Sequence, residues 1–127
     1  MLIIDRSLFL NTHEIGTRYE GIAAEYLESK GYVILERNFR GRAAEADIVA
    51  KDGDTYVFVE VKYRTNTASG NPLEAVTLAK QKKVSKAALY YMGIHKLVPD
   101  ATSIRFDVIG ITGEEITHIE NAFYYVK

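Results

Sequence analysis

Apolar residues recur along this chain at two spacings, and each spacing predicts a type of secondary structure. A helix is predicted over 12–29, because apolar residues return every three or four positions before the stop signal Lys30-Gly31. A second helix is predicted over 73–92 on the same ground. The apolar positions assigned to the two helices are Ile15, Tyr19, Ile22, Ala23 and Tyr26, then Leu73, Val76, Ala87 and Tyr91.

Five shorter segments are predicted to be strands. Asp52-Gly53 separates the second from the third and favours a tight hairpin, so these two strands are expected to be antiparallel neighbours. The segment before the last turn alternates apolar and polar residues, as a half-buried strand does. The predicted strands are 32–38, 45–51, 55–63, 103–111 and 116–120.

The element order α-β-β-β-α-β-β predicts an α/β fold. The helix between the third and fourth strands permits a parallel crossover, so we expect a mixed sheet with helices packed on it. A polar loop is expected at 65–72. The 127 residues correspond to a single domain, 1–127, and the 47% hydrophobic content suffices for a core.

Composition and charge exclude several classes of protein. There is no cysteine, which rules out disulfides and thiolate zinc sites, and the three histidines lack metal-ligating spacing. No apolar run approaches the ~20 residues of a membrane helix, and a cytoplasmic, non-membrane protein is expected. The net charge is −1, but residues 60–86 carry six basic and two acidic residues, a local charge of +4.

The strand at 55–63 carries charges that a buried strand should not have. Alternation places Val57, Val59 and Val61 on one face, and Glu60 and Lys62 on the other. Burying these ions unpaired would cost several kcal/mol each. They must therefore pair, reach water in a cleft, or bind a ligand.

The preceding strand repeats this feature. Alternation puts Glu45 and Asp47 on one face, and the alanines and Ile48 of 44–50 on the other. If the hairpin brings the acidic faces together, Asp47 and Glu60 repel each other, and Mg²⁺ would remove that conflict. Lys62 beside them would suit metal-assisted phosphodiester hydrolysis. A structural salt bridge of Lys62 with the acids explains the same pattern without catalysis.

The motifs then point to a known family. Asp47 followed by Glu60-Val61-Lys62 looks like the PD-(D/E)xK signature of the restriction-endonuclease-like superfamily, which includes Holliday-junction resolvases. Nearly the whole chain resembles the YraN-like family of predicted bacterial endonucleases. The matching segments are Gly16-x-x-x-Glu20, Ala23-Ala24, Tyr26-Leu27, Gly31-Tyr32, Arg37-Asn38-x-Arg40, Glu45-x-Asp47, Phe58-Val-Glu-Val-Lys62-x-Arg64, Lys80 and Arg105-Phe-Asp107-Val108. The chain departs from that family at three positions. Where the family usually has Gly-Glu-Ile-Asp, this chain has Ala44-Glu45-Ala46-Asp47, and where the family has a glycine before the helical glutamate, this chain has Tyr19.

The resemblance implies an α-β-β-β-α-β core with the site at one sheet edge, and a Mg²⁺- or Mn²⁺-dependent nuclease of DNA repair or recombination. The catalytic candidates are Asp47, Glu60, Lys62 and, through the resemblance, Glu20; the metal ligands would be Asp47, Glu60 and Glu45. Candidates for contact with DNA, including branched or single-stranded DNA, are Arg40, Arg64, Lys80 and Lys83. The alternative is a non-catalytic nucleic-acid-binding or protein-interaction module with the same fold.

Overall fold

The first helix, α1, spans Thr12–Ser29, as its apolar spacing predicts. It ends because Gly31 adopts a φ of +90°, a conformation that glycine takes at little cost. The backbone amides of Gly31 and Tyr32 then donate hydrogen bonds to the carbonyl oxygens of Glu28 and Leu27 in the last turn. The computed structural model describes residues 12–64 and 72–127. Most of the predicted polar loop at 65–72 therefore lies outside the described residues.

Within residues 12–64 and 72–127, five strands form one mixed sheet in the order β1-β2-β3-β4-β5. Of the neighbouring strands in these two ranges, only β3 and β4 are parallel, as the helical crossover between them predicts. Each strand lies within three residues of its predicted bounds. The strands are β1 (Val33–Gly41), β2 (Ala44–Asp52), β3 (Thr55–Arg64), β4 (Ile104–Thr112) and β5 (Glu115–Ile119).

The hairpin between β2 and β3 confirms the prediction from Asp52-Gly53. Asp52 pairs with Thr55, which leaves a two-residue loop whose first residue, Gly53, has a φ of +59°. A type II′ turn requires a positive φ at that position. The turn determines the register that later brings the acidic residues of β2 and β3 to the same level.

The two helices cover opposite faces of the sheet. Ala23, Ala24 and Leu27 of α1 pack on one face, in a core that includes Val57 and Val59. The second helix, α2, spans Leu78–Ile94 and packs on the other face, around Phe58 and Val108. In the part of the chain that the structure describes, no helix is both long and apolar enough to cross a membrane.

The second helix starts later than the apolar pattern predicts. Pro72–Ala75 form a short 3₁₀ turn, and Thr77 then caps α2 by accepting a hydrogen bond from the amide of Lys80. Pro72 lies directly on Gly110 of β4, where a Cβ atom would come within 2.2 Å of the proline ring. Through this contact the start of the 3₁₀ turn packs on the sheet. Gly110 pairs with Lys62 of β3, so the turn lies beside Lys62.

Candidate functional site

The candidate site lies in a fork of the sheet. The register of β2 with β3 runs from Asp52–Thr55 to Ile48–Val59, while β2 stays paired with β1, and β3 with β4, beyond that point. The two strands therefore separate after Ile48 and Val59. Asp47 and Glu60 are the next residues along each strand, so the fork opens with one carboxylate on either side.

Asp47 stands at an irregularity that simple alternation does not predict. Ala44 and Ala46 pack in the core under α2, whereas Ile48 and Ala50 pack in the core under α1, so the prediction that all four share one face was wrong. The alternation breaks at Asp47, level with Asn38 of β1, whose φ is +54°. The Asp47 carboxylate accepts a hydrogen bond of 2.8 Å from the backbone amide of Val61 across the fork.

Glu60 is the most buried charged group of the fork, with 2% of its surface exposed. The pKa of Glu60 is raised to about 8: burial contributes most, the charge of Asp47 and a hydrogen bond with it add to the shift, and the charges of Lys80 and Lys62 oppose it. Within the described residues, Oε2 of Glu60 is the one buried side-chain oxygen or nitrogen without a hydrogen-bond partner. A buried polar atom of this kind costs stability unless a ligand satisfies it.

Two lysines approach Glu60 from different elements. The Nζ atom of Lys80, on α2, lies 3.4 Å from Oε1 of Glu60, and that of Lys62 lies 3.7 Å from the same oxygen. Lys80 also donates a hydrogen bond to Glu45, which accepts a second from Arg40 at 2.5 Å. Burial alone would lower the pKa of Lys80, but the hydrogen bond to Glu45 and the charges of Glu60 and Glu45 outweigh it and raise that pKa.

Glu45 is held apart from the two central acids. Burial by itself would raise the pKa of Glu45, but hydrogen bonds from Lys80 and then Arg40 lower it below the usual range. Both of its oxygens face these cations. In this arrangement Glu45 positions Lys80, and its role as a metal ligand stays a prediction.

The fork opens into a cleft of about 450 Å³. Glu20 lines it from α1, so the structure brings this candidate to the same cavity as Asp47 and Glu60. The site lies between interior strands at the carboxyl end of β3, and not along an outer strand of the sheet. The other lining residues are Ile15, Gly16, Tyr19, Asn38, Arg40, Val61, Lys62, Tyr63 and Lys80.

The remaining basic candidates lie around this cleft. Arg64 follows Tyr63 at the end of β3 and is half-buried. Lys83 is exposed on α2 and borders a smaller, neighbouring hollow of about 160 Å³ together with Arg40 and Glu45. Neither Arg64 nor Lys83 lines the main cleft, so any contact with a ligand would be made outside it.

The donor set of the fork fits a hard divalent cation. Asp47 and Glu60 supply oxygen ligands, and Oε2 of Glu60 is available for coordination. Among the described residues, no three carboxylate or imidazole side chains converge at one point. Mg²⁺ is commonly bound by one or two carboxylates, with water and substrate phosphate completing its octahedron, so two acids suffice.

Sequence reasoning missed two groups of residues. Tyr19 and Tyr63 stack on each other in the wall of the cleft, with ring centroids 3.9 Å apart. Asp107, wholly buried on the α1 face, accepts hydrogen bonds from Arg105 and from the backbone amide of Asn121, and contacts Nε2 of His118 at 2.7 Å. The alternation of Arg105 and Asp107 on a buried strand was a signal for this second network.

Comparisons with known proteins extend over most of the chain. The uncharacterised protein family UPF0102 matches residues 19–111. The chain is 47% identical over 114 residues to a UPF0102 protein of Lachnoclostridium phytofermentans, covering 90% of this chain and 96% of the relative. It is 51% identical over 118 residues to one of Geobacter metallireducens, covering 90% and 95%. A UPF0102 protein of Vibrio cholerae is 39% identical over 117 residues, covering 91% and 96%.

Proposed function

The chain belongs to the uncharacterised protein family UPF0102, the YraN-like family that its motifs resemble, and from the chemistry of the cleft we propose a metal-dependent endonuclease that hydrolyses phosphodiester bonds of DNA. The observation that carries the proposal is Glu60. Its carboxylate is buried, one oxygen has no partner among the described residues, and Asp47 lies next to it. A purely structural acid would have its oxygens satisfied by the protein.

Asp47 and Glu60 would hold the metal ion in this proposal. When bound, Mg²⁺ or Mn²⁺ would supply Lewis-acid chemistry and a water of lowered pKa. The hydrogen bond from the Val61 amide fixes the orientation of Asp47, and the buried position of Glu60 restricts its rotamers. The protein thus presents two oriented carboxylates at the base of an open cleft.

Lys62 is the group best placed to act on the substrate. Its side chain retains 29% exposure and lies 3.7 Å from Glu60, so it can reach both the acids and an incoming phosphate. An ammonium group at that position would stabilise the negative charge that builds up on the phosphate, or orient the attacking water. Glu20 faces the same cavity from α1 and would assist from the opposite wall.

Arg40 and Lys80 would hold the DNA backbone at the rim, with Arg64 and Lys83 further out. Arg40 is 57% exposed even though it pairs with Glu45, so its guanidinium remains accessible to a phosphate. Such contacts position the duplex or single strand without reading its sequence. No sequence preference follows from them.

The decisive experiment compares Asp47→Asn and Glu60→Gln with the wild-type chain. Single-stranded, duplex, flap and four-way-junction DNA are incubated with each protein in Mg²⁺, Mn²⁺ or EDTA. We expect cleavage by the wild type in metal only, and none by either variant, because each loses a ligand charge while keeping its shape. Melting curves with and without metal report binding separately, since a bound ion raises Tm.

Asp52→Asn serves as the matched control, because Asp52 pairs with Arg105 at the far end of β2 and lies outside the cleft. This variant should cleave like the wild type. Cleavage that survives in both Asp47→Asn and Glu60→Gln would contradict the metal assignment. If the wild type binds DNA but cleaves no form in any metal, the non-catalytic binding module is the correct alternative.

A further inference from the structure

The pair Tyr19 and Tyr63 differs from the aromatic contacts of the core. Their rings lie almost parallel, at 15°, as do those of Phe106 and Phe123 in the core at 14°, but their centroids are only 3.9 Å apart, against 5.1 Å for the core pair. Aromatic side chains in proteins prefer offset or edge-to-face contacts with centroids about 4.5–7 Å apart.

The position of the pair also distinguishes it from core packing. Tyr63 lies at the carboxyl end of β3, directly after Lys62, and Tyr19 reaches it from α1. Both rings line the cleft that contains Asp47 and Glu60. Although Tyr19 covers one side of its ring, Tyr63 retains 40% exposure, so an aromatic surface remains accessible at the mouth of the cleft.

The charges around this surface suit a nucleotide. Neighbouring side chains of a strand point to opposite faces, so Lys62 and Arg64 do not flank the ring, but Lys62 lines the same cleft as Tyr63. Stacking on an aromatic ring requires a base whose face is exposed, which an unpaired nucleotide offers and the interior of a duplex does not. An aromatic surface and a cation in one cleft are the combination that proteins use to bind single-stranded nucleic acids.

We propose that the Tyr19–Tyr63 stack is a subsite for the base of an unpaired nucleotide next to the scissile phosphate, so that the protein prefers DNA with a single-stranded segment at the cleft. The inference rests on the proposed nuclease function and adds its substrate class. The base would continue the tyrosine stack on the exposed side of Tyr63, while Lys62 contacts the adjoining phosphate. Tyr63 is thus a specificity-determining residue and takes no part in the hydrolysis.

The test uses forked DNA that carries 2-aminopurine at each unpaired position in turn, with a blunt duplex of the same length beside it. The probe is excited at wavelengths that neither tyrosine nor tryptophan absorbs, so the wild type, which has no tryptophan, and Tyr63→Trp can be compared directly. Calcium replaces magnesium so that the strand stays intact during binding. The proteins compared are the wild type, Tyr63→Leu, Tyr63→Trp and, as the matched control, Tyr124→Leu, whose tyrosine is 81% exposed outside the cleft.

The wild type should quench the probe at one or two unpaired positions, and it should bind forked DNA more tightly than the blunt duplex. Tyr63→Leu should no longer quench the probe. Its affinity for forked DNA should fall by about 5- to 100-fold, which corresponds to the free energy lost when a base no longer stacks on an aromatic ring. Tyr63→Trp should retain the quenching and the affinity for forked DNA, because indole also stacks on a base. If Tyr63→Leu proves unstable, loss of both properties in Tyr63→Trp would contradict the proposal. Tyr124→Leu should behave like the wild type.

Two results would overturn the subsite while leaving the nuclease function intact. One is a Tyr63→Leu variant that still quenches the probe and still prefers forked DNA. The other is a wild type that cleaves DNA but binds forked and duplex DNA equally. A wild type that neither binds nor cleaves any DNA form would overturn both proposals together. In magnesium, Tyr63→Leu should raise KM for forked DNA with little change in kcat, since the ring binds substrate without touching the reacting atoms.

Discussion

Lys62 and Lys80 both approach Glu60, but their surroundings differ. Lys80 bridges Glu60 and Glu45, whereas Lys62 lies 3.7 Å from Glu60 at the mouth of the cleft and pairs with no other acid among the described residues. A cation that connects two elements contributes to folding, and one that faces an open cavity is available to a substrate. We therefore separate their roles: Lys80 supports the fold in addition to its proposed contact with the DNA backbone, whereas Lys62 acts on the substrate.

The variants Lys80→Met and Lys62→Met test this separation. We expect Lys80→Met to lower the free energy of unfolding by about 2 kcal/mol, because Glu45 and Glu60 lose a shared partner. Lys62→Met should cost less than about 1 kcal/mol, yet reduce cleavage by roughly 100-fold or more. Urea denaturation and a cleavage assay measure the two effects. A large loss of stability in Lys62→Met that magnesium does not restore would support the structural salt bridge instead.

Glu60 also makes stability depend on pH. Its pKa is 4.5 in an unfolded chain and about 8 in the fold, so the folded state holds the extra proton between these values. The free energy of unfolding should therefore decrease as pH rises from about 4.5 to 8, with a contribution from Glu60 of up to about 1.4 kcal/mol per pH unit.

Denaturation of the wild type and of Glu60→Gln at a series of pH values checks this sign. The variant should lack the downward slope that Glu60 adds, while other groups titrate alike in both proteins. Magnesium should stabilise the wild type increasingly toward higher pH, because it binds the ionised carboxylate. Parallel pH curves for the two proteins would show that Glu60 titrates normally.

At the scale of elements, the fork depends on where β2 stops pairing with β3. The hairpin turn at Gly53 sets the register of β2 with β3, and their pairing ends at Ile48 and Val59, next to the residue Asp47 where the side chains of β2 change faces. β-Bulges and related irregularities often lie next to active sites, where they redirect a side chain. Here the irregularity turns Asp47 toward the Val61 amide.

The contact of Pro72 with Gly110 holds the opposite side of the fork, next to Lys62. In Gly110→Ala the new methyl group would lie 2.2 Å from the proline ring, so Pro72 must move. We expect a loss of about 1–3 kcal/mol of stability, as for other overpacked sites, together with a reduced cleavage rate. Gly93→Ala is the control: nothing lies within 4 Å of the added Cβ, and alanine in a helix should stabilise the fold slightly. Equal stability of both variants would contradict the proposed anchoring role.

At the scale of the whole molecule, a net charge of −1 argues against a general affinity for nucleic acid. The fold nevertheless gathers basic side chains from β1, β3 and α2 around the cleft, among them Arg40, Lys62 and Lys80. Binding driven by such a local cluster releases counterions from the DNA backbone.

We therefore expect the affinity for DNA to fall with salt despite the negative net charge. The logarithm of the association constant should decrease linearly with the logarithm of salt concentration, with a slope near −0.9 for each phosphate neutralised on a duplex. Fluorescence anisotropy at several salt concentrations gives this slope, and Lys83→Gln should reduce its magnitude by up to about one. A flat salt dependence would indicate a protein partner.

Much of this protein is determined by local sequence. The spacing of apolar residues located both helices and all five strands, because periods of 3.6 and 2 are set by backbone geometry within each segment. The pair Asp52-Gly53 specified its hairpin for the same local reason, and charges on the buried strand β3 identified Glu60 and Lys62 as unusual. The family match agrees with the order of these motifs along residues 19–111.

Only the tertiary structure decided how these residues meet. The split between β2 and β3, the pairing of Glu45 with Arg40 and Lys80, and the stack of Tyr19 on Tyr63 join residues from different elements. Alternation alone misplaced Ala44 and Ala46, since it assumes a regular strand and cannot detect an irregularity imposed by a neighbour. The chemistry of each residue follows from its type, but its partners depend on the packing of helices against the sheet, which no local pattern contains.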